Sequence, residues 1–203
     1  LKPMKPSPSS DILARPNEQL RVHLQRVSEL CSSLCLEPTL NLESINLAQD
    51  RLAKTLEVLG WCHDFGKATT FFQEYIHGAD EQERRKLKNK KETRHALLSA
   101  VFTYYVLKSH YYTSESPLDD VMSLIGYLAV KRHHGNLKAI RGEIRDLVYN
   151  TDEHYILKKQ LDSIAVDTLT DLYKNVFSEQ ALITFKKDFD SILKQLDQSR
   201  GVL

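Results

Sequence analysis

Glycine and proline are scarce in this sequence, with 7 glycines and 6 prolines among 203 residues, and four of the prolines lie within the first 16. Both residues interrupt helices, so their scarcity leaves long stretches that can remain helical. Runs of valine, isoleucine and threonine with strict alternation of polar and apolar positions, which would indicate strands, are also missing. The sequence therefore predicts an all-α fold.

Further shortages exclude whole classes of protein. The 3 cysteines, at positions 31, 35 and 62, are an odd number, which favours a reduced cytosolic protein over a disulfide framework. No apolar run approaches the roughly 18 residues that a membrane span needs. The net charge is only +1, so any attraction to nucleic acid must come from a local patch or a bound cation. The glycine-rich phosphate loops GxxxxGK[ST] and GxGxxG do not occur either.

The first 16 residues, which begin LKPMKPSPSS, are polar and rich in proline and serine. They predict a flexible leader ahead of a folded domain of residues 17–203. Leucines at helical spacing then predict a first helix, with Asn17 as its N-cap. A second long helix is predicted through LAQDRLAKTLEVLGWC, ending where the chain turns at Gly66.

Three later segments also have helical periodicity. TTFFQEYIHG predicts a short helix that is capped by Thr69 or Thr70 and ended by Gly78. RHALLSAVFTYYVLKS and VMSLIGYLAVKRHHG predict longer apolar helices, and LKAIRGEIRDLVYN continues the pattern beyond Gly135.

Residues 79–93, ADEQERRKLKNKKET, contain six lysines and arginines and almost no apolar side chain. Such a run is typical of a solvated loop or a frayed helix, and it is also available as a basic strap facing phosphates. A groove for single-stranded nucleic acid would use such a strap. The residues assigned to this contact are Arg84, Arg85, Lys88 and Lys90.

Five of the eight histidines lie within or at the ends of four separate apolar helices. They are His23, His63, His95, His133 and His134, and Asp64 directly follows the second of them. Imidazole is the commonest nitrogen ligand for metals, and a buried histidine without a partner is costly. Because helix ends converge in the core of a bundle, we expect these side chains to meet at one metal site. The remaining histidines have polar sequence neighbours and are not assigned to the site: His77, His110 and His154.

Five imidazoles and one carboxylate exceed the four ligands of a closed tetrahedral zinc site. They suit two ions that share Asp64 as a bridge and keep open positions for water and phosphate oxygens. Mixed nitrogen and oxygen ligands favour Mn, Fe, Co, Ni or Zn over Mg or Ca. Lys67, three residues after Asp64, projects from the same face and can either neutralise a phosphate or pair with Asp64.

This order of elements resembles the HD-domain phosphohydrolase superfamily and, more narrowly, the HD nuclease domain of the CRISPR type I effector nuclease-helicase. The similar segments are HDFGKATTFFQEYI, RHALLSA and HHGNL, preceded by a histidine in VHLQRV, and they span residues 20 to about 140. The resemblance implies an HD-domain helical bundle with one or two divalent transition metals, with Mg²⁺ also possible. It implies these ligand positions: His23, His63, Asp64, His95, His133 and His134. Lys67 matches the motif lysine, and the catalytic residues implied are Asp64 and Lys67.

The activity that the resemblance implies is metal-dependent cleavage of single-stranded DNA at a target selected by a CRISPR-RNA-guided effector complex, in a prokaryotic cytoplasm. Two features depart from the family pattern. A late aspartate normally completes the first metal's shell, whereas Asp188 and Asp190 lie in charged surroundings and match it poorly. Helicase motifs are missing, which predicts a separate nuclease subunit or an excised domain that works with an SF2-type helicase, fused or separate.

Two other functions stay open at this point. An HD phosphohydrolase acting on a nucleotide or a cyclic dinucleotide would enclose its ligand and stack the base in a pocket. A metal-binding interaction module would bind ions without turning over any substrate. A nuclease should instead have an open groove lined with basic side chains.

Overall fold

The computed structural model describes residues 12–112, 116–136 and 151–199. Helices dominate this part of the chain, and the sheet within it is one two-stranded antiparallel hairpin of β1 (Leu13–Arg15) and β2 (Glu18–Gln19). The predicted all-α fold is therefore confirmed. The helix predicted in LKAIRGEIRDLVYN lies outside the described residues.

The helices in chain order are α1 (Leu20–Leu36), α2 (Gln49–Cys62), α3 (Thr70–Ile76), α4 (Glu81–Lys88), α5 (Ala96–Val106), α6 (Pro117–Lys131), α7 (Asp152–Asp162), α8 (Val166–Leu172), α9 (Glu179–Lys187) and α10 (Phe189–Gln198). Short 3₁₀ turns occupy Glu43–Ile45, Phe65–Ala68 and Lys91–Thr93, and a π-helical turn, Leu107–Tyr111, extends α5. Among the described helices, none is long and apolar enough to cross a membrane.

Two helix pairs form the framework, α1 against α2 and α5 against α6. The first pair crosses closely at Gly60, where an added Cβ would lie only 2.3 Å from the Cα of Ser28. The second pair contains the central helix α5, whose residues from Leu98 to Val106 are all buried. A helix that is buried on all sides must be apolar on all sides, which explains why its sequence shows so little amphipathic pattern.

An aromatic cluster anchors the turn after α2 to the rest of the core. Phe65 stacks on Phe102 of α5 with ring centroids 4.1 Å apart, and Phe185 of α9 meets Phe65 edge-on at 5.6 Å. The hydroxyl of Tyr173 donates to the carbonyl oxygen of Trp61 at 3.2 Å, which satisfies one of the free carbonyls at the end of α2. These contacts fix the position of the residues between Trp61 and Phe65.

The N-terminal boundary differs from the sequence prediction. Asn17 does not cap a helix, because it lies in the turn of the hairpin and α1 begins at Leu20 with Gln19 as its N-cap. Ile12 and Ala14 are buried in the core, so ordered structure begins before the predicted boundary at residue 17. Residues 1–11 of the predicted leader lie outside the described residues.

Gln73 joins this hairpin to the turn after α2. Its side-chain oxygen accepts from the backbone N–H of Leu13 at 3.0 Å, and its amide nitrogen donates to the carbonyls of Leu13 and Lys67 at 2.9 and 2.7 Å. This side chain therefore behaves like a short strand partner for β1 and holds the hairpin against the turn that carries Lys67.

The short helix predicted after this turn is confirmed, since α3 begins at Thr70 and the Thr69 hydroxyl accepts from the N–H of Phe72. The basic run is not a loop in the structure but contains the two-turn helix α4. Asp80 caps it by accepting from the N–H of Glu83 at 2.8 Å, acidic residues occupy its first turn and basic residues its last. This order complements the helix dipole, which explains how so polar a segment stays helical.

Candidate metal centre

The five histidines and the aspartate predicted as metal ligands come together at the ends of four helices. Asp64 is only 1% exposed and lies at the centre. His63 is the C-cap of α2, His95 is the N-cap of α5, and His133 with its neighbour follows the end of α6. His23 differs from the others because it lies inside a helix, in the first turn of α1.

One oxygen of Asp64 faces the α1–α2 side of the cluster. The Oδ2 atom lies 3.1 Å from Nε2 of His23 and 3.2 Å from Nε2 of His63. These two ring nitrogens are themselves 3.2 Å apart. We call this set, His23, His63 and Asp64 Oδ2, the inner half-site; its three side chains form a group that can hold a metal ion.

The other oxygen of Asp64 faces the α5–α6 side. The Oδ1 atom lies 3.1 Å from Nε2 of His95 and 3.2 Å from Nε2 of His133. Nε2 of His134 is 3.0 Å from Nε2 of His95, and this histidine is the exposed member of the group. We call His95, His133, His134 and Asp64 Oδ1 the outer half-site, a second group that can hold a metal ion.

The orientation of the rings suits metal binding. Nδ1 of His63 lies 2.7 Å from the carbonyl oxygen of Gly60, and Nδ1 of His133 lies 2.6 Å from that of Val130. A carbonyl oxygen can only accept, so each Nδ1 carries a proton, and in the neutral ring the lone pair is on Nε2. Both lone pairs then point at carboxylate oxygens of Asp64, and such a contact is repulsive by itself. A bound cation or an extra proton on each ring makes the arrangement favourable.

The carboxyl of Asp64 is strongly acidic in this setting. Burial opposes its ionisation, but in the metal-free cluster hydrogen bonds from His133, His23, His63 and His95, donated by rings that carry a proton on Nε2, outweigh burial and hold the pKa of the carboxyl well below its ordinary value. Asp64 is therefore a carboxylate at neutral pH, balanced by whatever positive charge the cluster carries.

Two of the three rings in the outer half-site, His95 and His134, resist protonation. Burial lowers the pKa of His95, although Asp64 partly offsets this effect. Loss of water around the ring of His134 lowers its pKa to about 4, and the nearby rings of His133 and His95 act in the same direction. Both rings are neutral at pH 7, which is the form that binds metals.

Lys67 belongs to the inner side of the cluster. Its Nζ lies 2.7 Å from Asp64 Oδ2 and 5.5 Å from the centroid of the Phe72 ring, and the residue is only 7% exposed. Of the two roles that the sequence left open, the described contact is the pairing with Asp64. A buried ammonium without such a partner would be costly.

Gly66 brings the turn after α2 against the start of α5. An added Cβ at this position would lie 2.5 Å from the carbonyl oxygen of His95 and 3.0 Å from its Cα, so only glycine allows this approach. The N–H of Gly66 donates to the Ser99 hydroxyl at 2.9 Å, and that hydroxyl donates to the His95 carbonyl at 3.0 Å. This close packing fixes the distance between Asp64 and His95.

Sequence reasoning missed two residues that support the cluster. Gln160 of α7 is buried, and its amide donates to the carbonyls of Glu92 and Arg94 at 2.7 and 2.9 Å, which holds the segment leading into His95. Glu18 of β2 has a carboxylate oxygen 3.3 Å from Nδ1 of His23. Glu18 precedes His23 by five residues, and the side chains that are neighbours in a helix are three or four residues apart, so the sequence does not indicate this contact.

The other residues considered in the sequence lie elsewhere. Within the described chain, neither Asp188 nor Asp190 belongs to a metal-binding group, and Asp190 pairs with Lys158 and His154 at 2.9 Å each. His77 caps the end of α3, and Nε2 of His110 contacts the hydroxyl of Tyr105 at 3.1 Å. The predicted nucleic-acid residues are on α4 and just after it, and all except the half-buried Arg84 are exposed: Arg85, Lys88 and Lys90.

The sequence matches a family model described as "Cas3, HD domain" over residues 15–197. Searches of curated proteins and of solved structures gave no significant match. The matched range begins in the hairpin and ends in α10, so it includes every residue of the two half-sites. The family predicted from the sequence is thereby confirmed: the chain belongs to the Cas3 HD domain family, a CRISPR-associated family of metal-dependent HD nucleases.

Proposed function

We propose that this domain is a metal-dependent nuclease that cleaves single-stranded DNA in CRISPR type I antiviral interference. The observation that carries this proposal is the convergence of four imidazole side chains on the two oxygens of a single buried carboxylate, with a fifth imidazole, His134, against His95. A structural salt bridge needs one partner for an aspartate, whereas four rings around Asp64 leave Nε2 lone pairs that a bound cation would satisfy together with the carboxylate.

The proposed ligands follow the two half-sites. His23 and His63 with Asp64 Oδ2 would hold one divalent ion, and the outer half-site would hold a second through His95, His133, His134 and Asp64 Oδ1. The nitrogen-rich ligand set favours Mn, Fe, Co, Ni or Zn, with Mg²⁺ as a weaker candidate. Such ions polarise a phosphodiester and lower the pKa of a bound water, so that a nucleophile is available at neutral pH.

We assign two tasks to the protein's own charged groups. Asp64 spans both half-sites and fixes their separation, so its loss would affect both at once. Lys67 holds Asp64 Oδ2 in place and keeps an ammonium beside the cluster, where a phosphodiester charge would develop. Both are proposed as catalytic residues on this basis.

Single-stranded DNA is the proposed substrate because the cluster has an exposed edge and because a basic helix directly precedes one of its ligands in the chain. His134 is exposed, and the 3₁₀ turn that follows the basic helix α4 leads within two residues to His95. The exposed edge favours an open groove over a closed nucleotide pocket.

The basic groups on this surface differ in how much of their charge is balanced by a neighbouring carboxylate. Arg84 and Arg85 contact Glu81 at 3.6 and 3.0 Å, so part of their charge is balanced on α4 itself. Lys88 in the last turn of that helix and Lys90 just after it are exposed, so their charge can face a phosphate backbone. We propose that these four residues attract single-stranded DNA without reading its sequence.

The partners proposed for this domain follow from the family. A CRISPR-RNA-guided effector complex would select the target, and an SF2-type helicase, fused or separate, would supply the single strand in a prokaryotic cytoplasm.

The test is cleavage of labelled single-stranded DNA by the purified protein in Mg²⁺, Mn²⁺, Co²⁺, Ni²⁺ and Zn²⁺, with duplex DNA and a cyclic dinucleotide assayed in parallel. Asp64→Ala should abolish cleavage and metal binding while the circular dichroism spectrum stays helical. Asp50→Ala, an exposed position on α2, is the matched control and should cleave normally. Metal binding without cleavage of DNA would refute the nuclease, and turnover of the cyclic dinucleotide alone would favour a nucleotide phosphohydrolase.

A further inference from the structure

The histidines of the cluster differ in what holds their second ring nitrogen. His63 and His133 each direct Nδ1 at a carbonyl three residues earlier, Gly60 and Val130, in the last turn of a helix. Carbonyls in the last turn have no partner within the helix, so they are free to accept from a side chain. The helix ends therefore orient these two rings without any additional residue.

His23 has no such carbonyl within reach. It is the fourth residue of α1, where the groups left without partners are N–H donors, while the carbonyls take part in the helix. An imidazole in this position needs an acceptor from outside the helix to hold a proton on Nδ1. Glu18 is the acidic side chain at that position, with Oε2 at 3.3 Å from Nδ1, while Nε2 of the same ring lies 3.1 Å from Asp64 Oδ2.

Glu18 is itself held in place by the hairpin. Its two other ionic contacts, to Arg15 and Arg26, are long at 3.7 and 3.6 Å, and both arginine side chains are about 70% exposed. Ion pairs so exposed contribute little to stability. The Glu18 side chain is only 22% exposed, so its closest and least solvated partner is His23. Its position is set by the pairing of β2 with β1 and by the hydrogen bonds of Gln73 to Leu13.

We propose that Glu18 is a positioning residue for the inner half-site. Its carboxylate keeps the proton of His23 on Nδ1, directs the Nε2 lone pair toward Asp64 Oδ2, and makes the ring a stronger ligand by adding negative charge behind it. This inference rests on the proposed metal site. It predicts that the two half-sites depend differently on Glu18, because the rings of the outer half-site lie on other elements.

The experiment compares wild type, Glu18→Ala, Glu18→Gln and Glu29→Ala by titration with Mn²⁺ and Co²⁺, using calorimetry and Co²⁺ absorption. Glu29 is an exposed glutamate of α1 whose carboxylate accepts from the side chain of Gln25, so its replacement is the matched control. Glu18→Ala should weaken one of two ions by about 10-fold to 100-fold and leave the other unchanged. Glu18→Gln should recover part of the loss, since its amide oxygen still accepts from Nδ1 but carries no charge.

Nuclear magnetic resonance of ¹⁵N-labelled histidine gives a readout that does not need two bound ions. His23 should be protonated on Nδ1 in wild type and lose this preference in Glu18→Ala. Unchanged His23 signals together with unchanged titrations would overturn the inference, as would equal weakening of both ions with a lower melting temperature. Wild-type protein that binds no metal would instead refute the proposed function itself.

Discussion

Replacing Gly66 with alanine should disable the outer half-site, because the added methyl group has no space. Its Cβ would lie 2.5 Å from the His95 carbonyl oxygen, whereas ordinary contacts begin near 3.4 Å. The turn and the start of α5 must therefore move apart by about 1 Å. Such a shift separates Asp64 Oδ1 from Nε2 of His95, and metal sites tolerate only about 0.2 Å of error in ligand distance.

Overpacking of this kind typically costs about 1 to 3 kcal/mol. If the whole of this free energy is lost from metal binding at the outer half-site, its ion should bind about 5-fold to 150-fold more weakly. The assay is a Mn²⁺ titration of the folded protein beside urea unfolding of the metal-free protein. Gly135→Ala is the control, because an added Cβ there meets nothing within 4 Å. Wild-type stability and metal affinity in Gly66→Ala would refute the packing argument.

Two further predictions concern the charged groups around the cluster. Lys67→Ala should keep both ions but lower single-turnover cleavage by about 10²-fold to 10³-fold, because a charged contact to the developing phosphate is lost. Lys67→Arg should rescue only part of this, since a planar guanidinium does not replace a compact ammonium; loss of metal in step with activity would reduce Lys67 to a support for Asp64. Neutralising the basic surface should weaken single-strand binding and lower its salt slope by about 0.7 per lost phosphate contact, with little change in cleavage at saturating DNA. The residues to replace together are Arg84, Arg85, Lys88 and Lys90. An unchanged salt slope would show that this helix is solvated and does not contact DNA.

The core of the cluster was accessible from sequence because its chemistry leaves few alternatives. A histidine beside an aspartate at the end of an apolar helix gains little from packing, so the pair His63 and Asp64 indicated two ligands of a metal site. Helix ends that meet in a bundle then predicted which other histidines would join them. The pairing of each Asp64 oxygen with one half-site could not be predicted, since it depends on side-chain rotation rather than on residue spacing.

The errors lie where a local signal competed with a tertiary contact. Asn17 looks like a helix cap, but the preceding proline and the burial of Ile12 and Ala14 favour a hairpin, which places the helix start at Leu20. Glu18 was missed for the same reason, since it was read as part of the first helix. The helix α4 was underestimated because its stability comes from the Asp80 cap and from the order of its charges rather than from apolar periodicity.

The pairing of Asp64 with Lys67 also sets the charge of the cluster. The carboxylate of Asp64 and the ammonium of Lys67 cancel, imidazoles in their neutral form add nothing, and Glu18 adds one negative charge behind His23. Two divalent ions would bring four positive charges to this cluster, whose central carboxylate is buried, and uncompensated charge beside a buried group is costly. On the proposed function, a phosphodiester backbone would bring the anions that offset this charge. Because thermodynamic coupling is reciprocal, DNA should tighten the second ion by the same factor by which that ion tightens DNA.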